Sequence, residues 1–402
     1  MRILFLTTQL PYPPKSGGLI KSWRLLEHWS RVFEVGLMHP LKQGDKDYLS
    51  DFLSSGISLK EHFYIPLEVD RSGWNLMMSY LGHRTLNVFR NYSRDFRDKV
   101  SEVIQSYDVL FLDHYEMGQY IPDDCSIPVI FHEHNAEYMM WSRLAEIEQN
   151  PIKRSVIQLE AFRIKKAESA YAERATQIWA APNDQIELKK LGIEVEKMVT
   201  TYHLGEDDML DAPELKFQET ERRILFIGTL TWEANIDGLL WFIENVWPII
   251  EKDRTIHFDI IGKNPDERLL NFAKGKERIH FHGFVEELES FYKRSRVFIV
   301  PLRFGSGIKV KLLNAMYRGL PTVTTEIGTE GLDIREGDEI FQTHKAETYA
   351  EKVLLLMNDE PVWSSMSKNS RRKARRYSWK ELLDEHDKSL EQLMTNEWEK
   401  PN

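Results

Sequence analysis

Short apolar runs alternate with longer amphipathic ones along most of this 402-residue chain. The first, Ile3-Leu4-Phe5-Leu6, carries no charge after Arg2, which is the pattern of a strand buried on both faces of a parallel sheet. Similar runs predict strands at 32–38, 63–67, 109–112, 129–131, 178–181 and 199–202. Behind the first strand lie a Pro-rich loop, 10–16, the pair Gly17-Gly18, and then Leu19, Trp23, Leu26 and Trp29 at helical spacing. The alternation lapses over 205–221, an acidic stretch holding Pro213, and resumes with strands at 223–227, 257–261, 279–281, 297–300 and 322–325. A strand–helix repeat of this kind predicts parallel sheets covered on both faces, here twice in tandem.

The domain boundaries expected are 1–205 for the first unit, 206–221 for a linker and 222–377 for the second unit. A helix from Lys309 to Arg318 should stop where Gly319 takes the left-handed conformation and Pro321 cannot continue. Ser378 reads as the N-cap of a last helix, Trp379 to about Asn396, with Glu381 as its capping-box partner. This terminal segment, about 378–402, is expected to pack back on the first domain.

Composition narrows the function classes. A formal net charge of -10 argues against a general nucleic-acid partner, which would need a surplus of cations to neutralise phosphates. Cys125 is the only cysteine, so an internal disulfide and a cysteine metal cluster are both excluded, and the chain reads as cytoplasmic. Its start lacks the pattern of a secretory signal, and no run approaches the ~18 apolar residues of a spanning helix, so any membrane contact is expected at the surface.

Ligands of open parallel sheets bind beyond the carboxyl ends of the strands, where loops meet helix N-termini. On the first unit Gly17-Gly18 precedes a helix and is either an anion site or a tight turn. On the second, Gly305-Ser306-Gly307-Ile308-Lys309 leads into a helix and brings backbone amides and a cation to one point, unless Lys309 and Lys311 are merely solvated. Gly228-Thr229 follows the strand at 223–227 on the same rim. His134, in His132-Glu133-His134-Asn135, has three open readings: a structural histidine, one of a metal pair whose third ligand the sequence does not identify, or a histidine of the active site.

Several motifs together resemble glycosyltransferase family 4, the retaining sugar transferases with the two-domain fold called GT-B. They are Ile261-Gly262-Lys263-Asn264-Pro265, His282-Gly283-Phe284-Val285-Glu286-Glu287-Leu288, Pro301 to Lys309, and Ile327-Gly328-Thr329-Glu330-Gly331-Leu332. Pro11-Tyr12-Pro13-Pro14 with Gly17-Gly18, His134-Asn135 and Ser378-Trp379 extend the likeness over most of the chain. The resemblance implies two Rossmann-like domains facing across a cleft and transfer of a hexose-type sugar from a nucleotide diphosphate to a glycan or lipid-linked acceptor in polysaccharide or glycoconjugate synthesis. It implies no cofactor and no metal.

Residue by residue, it places Gly17 and Gly18 by the donor phosphates and His134 by the transferred sugar. Gly228 and Thr229 fall by the diphosphate, Phe284 and Val285 by the base, and Asn314 under the ribose. Ser306, Gly307, Ile308 and Lys309 contact sugar and phosphates, with Glu330 on the same rim. Many members carry glutamates at the positions of Ser306 and Asn314, and an Arg and a Lys after the glycine at Gly228; here 229–235 has neither. Phosphate charge would then fall on Lys309, Lys311 and Arg303.

The loss of those glutamates keeps a second class open, a GT-B partner subunit that binds or scaffolds without transferring. A nucleotide-sugar epimerase on the same fold is a third. Finally, Trp74 to Arg97 interleaves aromatic and basic residues, which suits either an interfacial surface for a lipid-linked acceptor at the inner face of the membrane or a core-facing helix with solvated arginines.

Overall fold

The chain alternates strand and helix as the pattern requires; the computed structural model describes residues 1–14, 17–305 and 307–395. These divide into two units, 1–203 with 382–395, and 204–381. In the first, the strands are β1 (Arg2–Leu6), β2 (Glu34–Leu41), β3 (Glu61–Pro66), β4 (Val109–Asp113), β5 (Val129–His132), β6 (Gln177–Ala180) and β7 (Met198–Thr200). All pair in parallel, in the order β3-β2-β1-β4-β5-β6-β7. Ile3, Phe5, Phe111 and Ile130 are fully buried, as strands covered on both faces must be.

The helix Gly17–Val32 follows β1 and buries Trp23, Leu26 and Trp29 on one side. Trp29 packs edge-on against Phe111 at 4.9 Å, and Phe5 lies 4.8 Å from Phe111. Each such buried side chain contributes about 1.5–3 kcal/mol of transfer free energy. Residues 382–395 of the last helix belong to this unit, where Asp387 accepts from Trp29 Nε1 at 3.1 Å and contacts His28 Nε2 at 2.7 Å.

The second unit carries β8 (Arg223–Ile227), β9 (His257–Ile261), β10 (Ile279–Phe281), β11 (Val297–Val300), β12 (Thr322–Thr324) and β13 (Phe341–Gln342). Their order, again all parallel, is β10-β9-β8-β11-β12-β13. Two-residue β13 has no run of apolar residues to announce it and was not expected. The helical segment after β8 is not uniform: Glu233–Trp241 widens into a π turn at Phe242–Val246 before Trp247–Ile250. Pro248 has no N–H to give to the carbonyl of Glu244, and the backbone widens just ahead of it.

The helix Val310–Arg318 ends at Gly319, whose φ of 74° is the left-handed cap anticipated. Ser378 Oγ accepts from Glu381 N at 3.3 Å at the start of the helix Trp379–Thr395; the expected end at Asn396 lies outside the described residues. Residues 206–221 lie in the second unit and are fastened along it. Asn314 Oδ1 accepts from Glu206 N at 3.0 Å, Arg371 donates to the carbonyl of Leu210 at 2.5 Å, and Arg318 donates to that of Pro213 at 2.7 Å. Arg318 also pairs with Glu289 at 3.0 Å. Among the described residues, no helix is long and apolar enough to cross a membrane.

Candidate active site

Both sheets begin in the middle and grow outward in two directions, so the chain reverses its winding between β1 and β4 and between β8 and β11. Flanking helices leave a crevice at such a point, at the carboxyl ends of the two strands. In the first unit this places Thr7 after β1, Asp113 at the end of β4 and the glycine pair at the head of the helix Gly17–Val32.

Asp113 is the hub. Its side chain is fully buried, and Oδ1 receives His132 Nδ1 at 2.8 Å and His134 Nε2 at 2.7 Å. Oδ2 accepts from Thr7 Oγ1 at 2.9 Å and Ser22 Oγ at 2.6 Å. Burial would raise this carboxyl, but His134, His114 and the bonds from His132 and His134 outweigh it and hold it well below the usual carboxylate range. An ionised carboxylate can only accept, so His134 carries its proton on Nε2 and presents Nδ1 as a lone pair. That Nδ1 has no hydrogen-bond partner, and a Cβ at Gly18 would sit 3.6 Å from it. Of the three readings of His134, the structure thus supports an oriented imidazole with one acceptor facing Gly18.

The surroundings keep the imidazoles neutral. His134 is held well below its ordinary value by burial and by His114, and burial brings His132 down to about 4. His114 stacks edge-on against His134 with centroids 3.8 Å apart. Its backbone takes φ 86°, ψ 147°, a conformation costing a non-glycine residue about 1–3 kcal/mol, and its N–H bonds the His132 carbonyl at 3.1 Å. Lys21 is buried without a hydrogen-bond partner, and burial lowers it to about 7 against the pull of Asp113 and Asp184.

Gly18, His114, Tyr115, Glu116, His134, Asn135, Glu137 and His203 line a pocket of 170 Å³. Burial and then Glu137 push the Glu116 carboxyl up to about 8. A larger pocket of 490 Å³, lined by Cys125, Val129, Glu173, Thr176 and Lys197, lies at the amino ends of β5, β6 and β7, the edge where a parallel sheet does not present helix N-termini.

Asp113, His132 and His134 are also the described residues that could hold a metal ion, with ligand atoms within 4.8 Å of one another. Two of the three separations are hydrogen-bond lengths. A tetrahedral ion with bonds of ~2.0–2.2 Å needs its ligand atoms roughly 3.3 Å apart, so the set would have to open to take one.

In the second unit Gly228 and Gly262 pack so closely that a Cβ on Gly262 would lie 2.1 Å from the Gly228 carbonyl oxygen. A Cβ on Gly228 would lie 2.9 Å from Lys311 Nζ and 3.0 Å from Asn235 Nδ2. Asn235 donates to the Thr229 carbonyl at 2.9 Å and accepts from Lys311. Lys311 is lowered to about 7 by burial and by Lys309. Lys309, almost wholly buried, donates to the Gly307 carbonyl and lies 3.5 Å from Glu330. It is the N-cap residue of the helix Val310–Arg318, which has no side-chain cap and no acid in its first turn.

Gly228, Thr229, Gly307, Ile308, Lys309, Lys311 and Glu330 therefore belong to one rim. Ser306 lies outside the described residues. Arg303 is held by Asp237 through Nε at 2.8 Å and through Nη2, so its charge is already matched. Asn314 has its oxygen on the 206 backbone. Phe284 and Val285 follow edge strand β10; Phe284 is 64% exposed, with Lys263 Nζ 4.1 Å over its ring. The sequence reading missed Asp113, which a strand ending in a lone acid could have flagged, and His114, whose backbone conformation leaves no trace in the sequence.

Comparison with known proteins agrees with this picture. Residues 221–359 match the family model described as glycosyl transferases group 1. The chain is 22% identical over 362 residues, 88% of its length and 90% of the relative, to an uncharacterized 44.6 kDa protein in the cps region of Klebsiella pneumoniae. It is similar to the crystal structure of Anabaena Alr3699/HepE in complex with UDP and glucose, at TM-score 0.62 and 12% identity over 98% of this chain and 100% of that one. It is also similar to the apo form of WaaB, a lipopolysaccharide outer core galactosyltransferase, at TM-score 0.63 and 12% identity over 98% and 99%. The fold is GT-B, two parallel-sheet α/β domains, and the family match supports a group 1 glycosyltransferase.

Proposed function

We propose that this chain is a retaining, metal-independent glycosyltransferase of family 4 type, moving a hexose-type sugar from a nucleotide diphosphate to a glycan or lipid-linked acceptor in polysaccharide synthesis. The observation that carries the reading is His134, locked by Asp113 with its free Nδ1 beside the glycine turn of a helix N-terminus. The Klebsiella relative from a cps region and the neighbour solved with UDP and glucose favour the substrate classes.

In this reading Gly17 and Gly18 let the donor approach backbone amides, and His134 Nδ1 accepts a hydrogen bond from a hydroxyl of the transferred sugar. Gly228, Thr229, Ser306, Gly307, Ile308 and Lys309 receive the pyrophosphate, Lys311 and Glu330 support them, and Phe284 and Val285 flank the base. As the bond from C1 to the β-phosphate oxygen breaks and the bond to the acceptor oxygen forms, the acceptor proton passes to the leaving phosphate. Negative charge grows on that phosphate, where amides and Lys309 stabilise it without a metal ion. The protein then acts in the cytoplasm, with peripheral contact at the inner membrane face.

A thermal-shift screen against UDP, GDP and their sugars, with and without a chelator, tests this. One nucleotide should raise the melting temperature equally in both, and His134→Ala should lose turnover while keeping nucleotide affinity. A second reading, a non-transferring partner subunit, is favoured by Asn314, whose oxygen is taken by the 206 backbone, and by Arg303, paired with Asp237. It predicts neither nucleotide binding nor slow sugar-nucleotide hydrolysis.

A further inference from the structure

The helix Pro151–Arg174 is apolar on two opposite sides. Ala161, Ile164 and Ala172 are buried in the unit, while Ile152, Val156, Leu159 and Phe162, at i, i+4, i+7 and i+10, face away from it. Ile152 is 76% exposed, Leu159 50% and Phe162 54%. A helix whose fold needs only one buried side has no reason to carry a second. The antiparallel neighbour Glu137–Ile147 adds exposed Met140 and Leu144 one turn apart.

A second apolar stripe lies on a helix tied to this one. Arg163 donates to the Ser79 carbonyl at 3.0 Å and to that of Arg84, and its guanidinium lies 3.9 Å over the Tyr80 ring. It thereby ties the helix Gly73–Leu81 to Pro151–Arg174, and that helix exposes Trp74, Met77 and Leu81 at i, i+3 and i+7. The rest of the 74–97 run divides differently from its sequence pattern: Phe96 is core, Arg84 covers Tyr92 at 3.6 Å, and Arg90 bonds the Val69 carbonyl.

The charges beside the apolar stripe decide what covers it. Lys153 and Lys166 are exposed along the same helix, and Lys166 Nζ lies 4.8 Å over the Phe162 ring, a cation standing beside an aromatic that faces water; Arg154 donates to the Glu148 carbonyl at 2.8 Å and Lys165 Nζ stands 5.6 Å over the Tyr138 ring. The acids of the helix interior, Glu160 and Glu168, are buried and turned inward onto backbone N–H groups and Arg163. Between 140 and 166 six Lys and Arg stand against Glu146, Glu148 and Glu160, of which Glu146 is exposed, so on a chain of net charge -10 this segment is locally positive. We propose that the face formed by 140–166 with Trp74, Met77 and Leu81 docks on an anionic lipid surface, aromatics and aliphatics seated in the headgroup region and lysines at the phosphates. This deepens the reading of a lipid-linked acceptor, since a docked protein meets such an acceptor in two dimensions.

Flotation of the full chain with vesicles of phosphatidylethanolamine and phosphatidylglycerol tests it. Protein should float with these and stay in solution with phosphatidylcholine vesicles. Each cation near an anionic surface is worth about five-fold in partition, so Lys153→Ser with Lys166→Ser should weaken binding roughly 25-fold. Ile152→Ser, Leu159→Ser and Phe162→Ser together should abolish flotation while circular dichroism and the melting temperature stay as in the parent. Parent protein left in solution, or a triple variant that floats, overturns the proposal. So does light scattering that shows a parent dimer reduced to a monomer by the triple variant, which would assign the face to a second copy. The nucleotide thermal shift, read without vesicles, reports on the transferase reading separately.

Discussion

Asp113→Asn isolates the electrostatic part of the active-site hub. Asparagine keeps the shape, and its amide can still donate to the hydroxyls of Thr7 and Ser22, which rotate to accept. What it loses is the charge that draws His132 and His134 at 2.8 and 2.7 Å. Bonds to a charged group are worth about 1.5–3 kcal/mol and neutral ones about 0.5–1.5, so replacing two of the first kind by two of the second costs roughly 2–3 kcal/mol. For a unit of this size that lowers the melting temperature by about 5–10 °C. Turnover should fall further than stability implies, because a neutral oxygen holds the His134 imidazole less firmly and no longer offsets positive charge gathering beside it; a loss of about 10²–10⁴-fold in kcat with near-parental nucleotide affinity is expected. The assay is sugar-nucleotide hydrolysis beside a nucleotide titration at a temperature where both proteins are folded. A variant with parental kcat would refute the claim that Asp113 sets the imidazole.

Gly18→Ala should fold normally, since its Cβ meets only His134 at 3.6 Å, yet it fills the space beside Nδ1; nucleotide-sugar affinity should drop about ten-fold with the melting temperature within ~2 °C, and unchanged affinity would remove Gly18 from the donor site. Gly262→Ala is the opposite case: a Cβ 2.1 Å from the Gly228 carbonyl must displace backbone, so a loss of about 3 kcal/mol or more in chemical denaturation is expected. Stability should also depend on pH from two sides. His132, lowered to about 4, is neutral when folded, so its contribution is present above the unfolded value of ~6.5 and is lost as pH falls toward 4. Glu116, raised to about 8, contributes below the unfolded value of ~4.3 and is lost as pH rises toward 8; Glu116→Gln should flatten this alkaline decline in denaturant midpoints, and an unaltered slope counts against the assignment.

Strands were legible where burial on both faces forces an uninterrupted apolar run, as at Ile3–Leu6 and Val297–Val300. Where pairing alone makes the strand, as at Phe341–Gln342, the pattern was silent. The glycine rims could be read because close approach and helix entry demand glycine, and Gly228 against Gly262 shows that demand physically. Asp113 was hidden because a single carboxylate acquires its role from four donors, Thr7 just after β1, Ser22 on the first helix, and His132 and His134 at and just after the end of β5, which only the sheet brings together. Arg303 shows the reverse limit: its charge is plain in the sequence, and its neutralisation by Asp237, 66 residues away, is not. The stripe at 152–162 escaped notice because apolar positions on two sides of a helix look like ordinary core material until one side is found facing water.

The helix that starts at Lys309 is braced along its far side, by Asn314 on the 206 backbone and by Arg318 on Pro213 and Glu289. A ligand pressing on its amino end meets a rod that cannot recoil. Whatever adjustment different ligands require falls to the residues ahead of it, among them 303–305 and 307–309, so ligand preference can drift through changes in those few positions while the scaffold behind them keeps its stability.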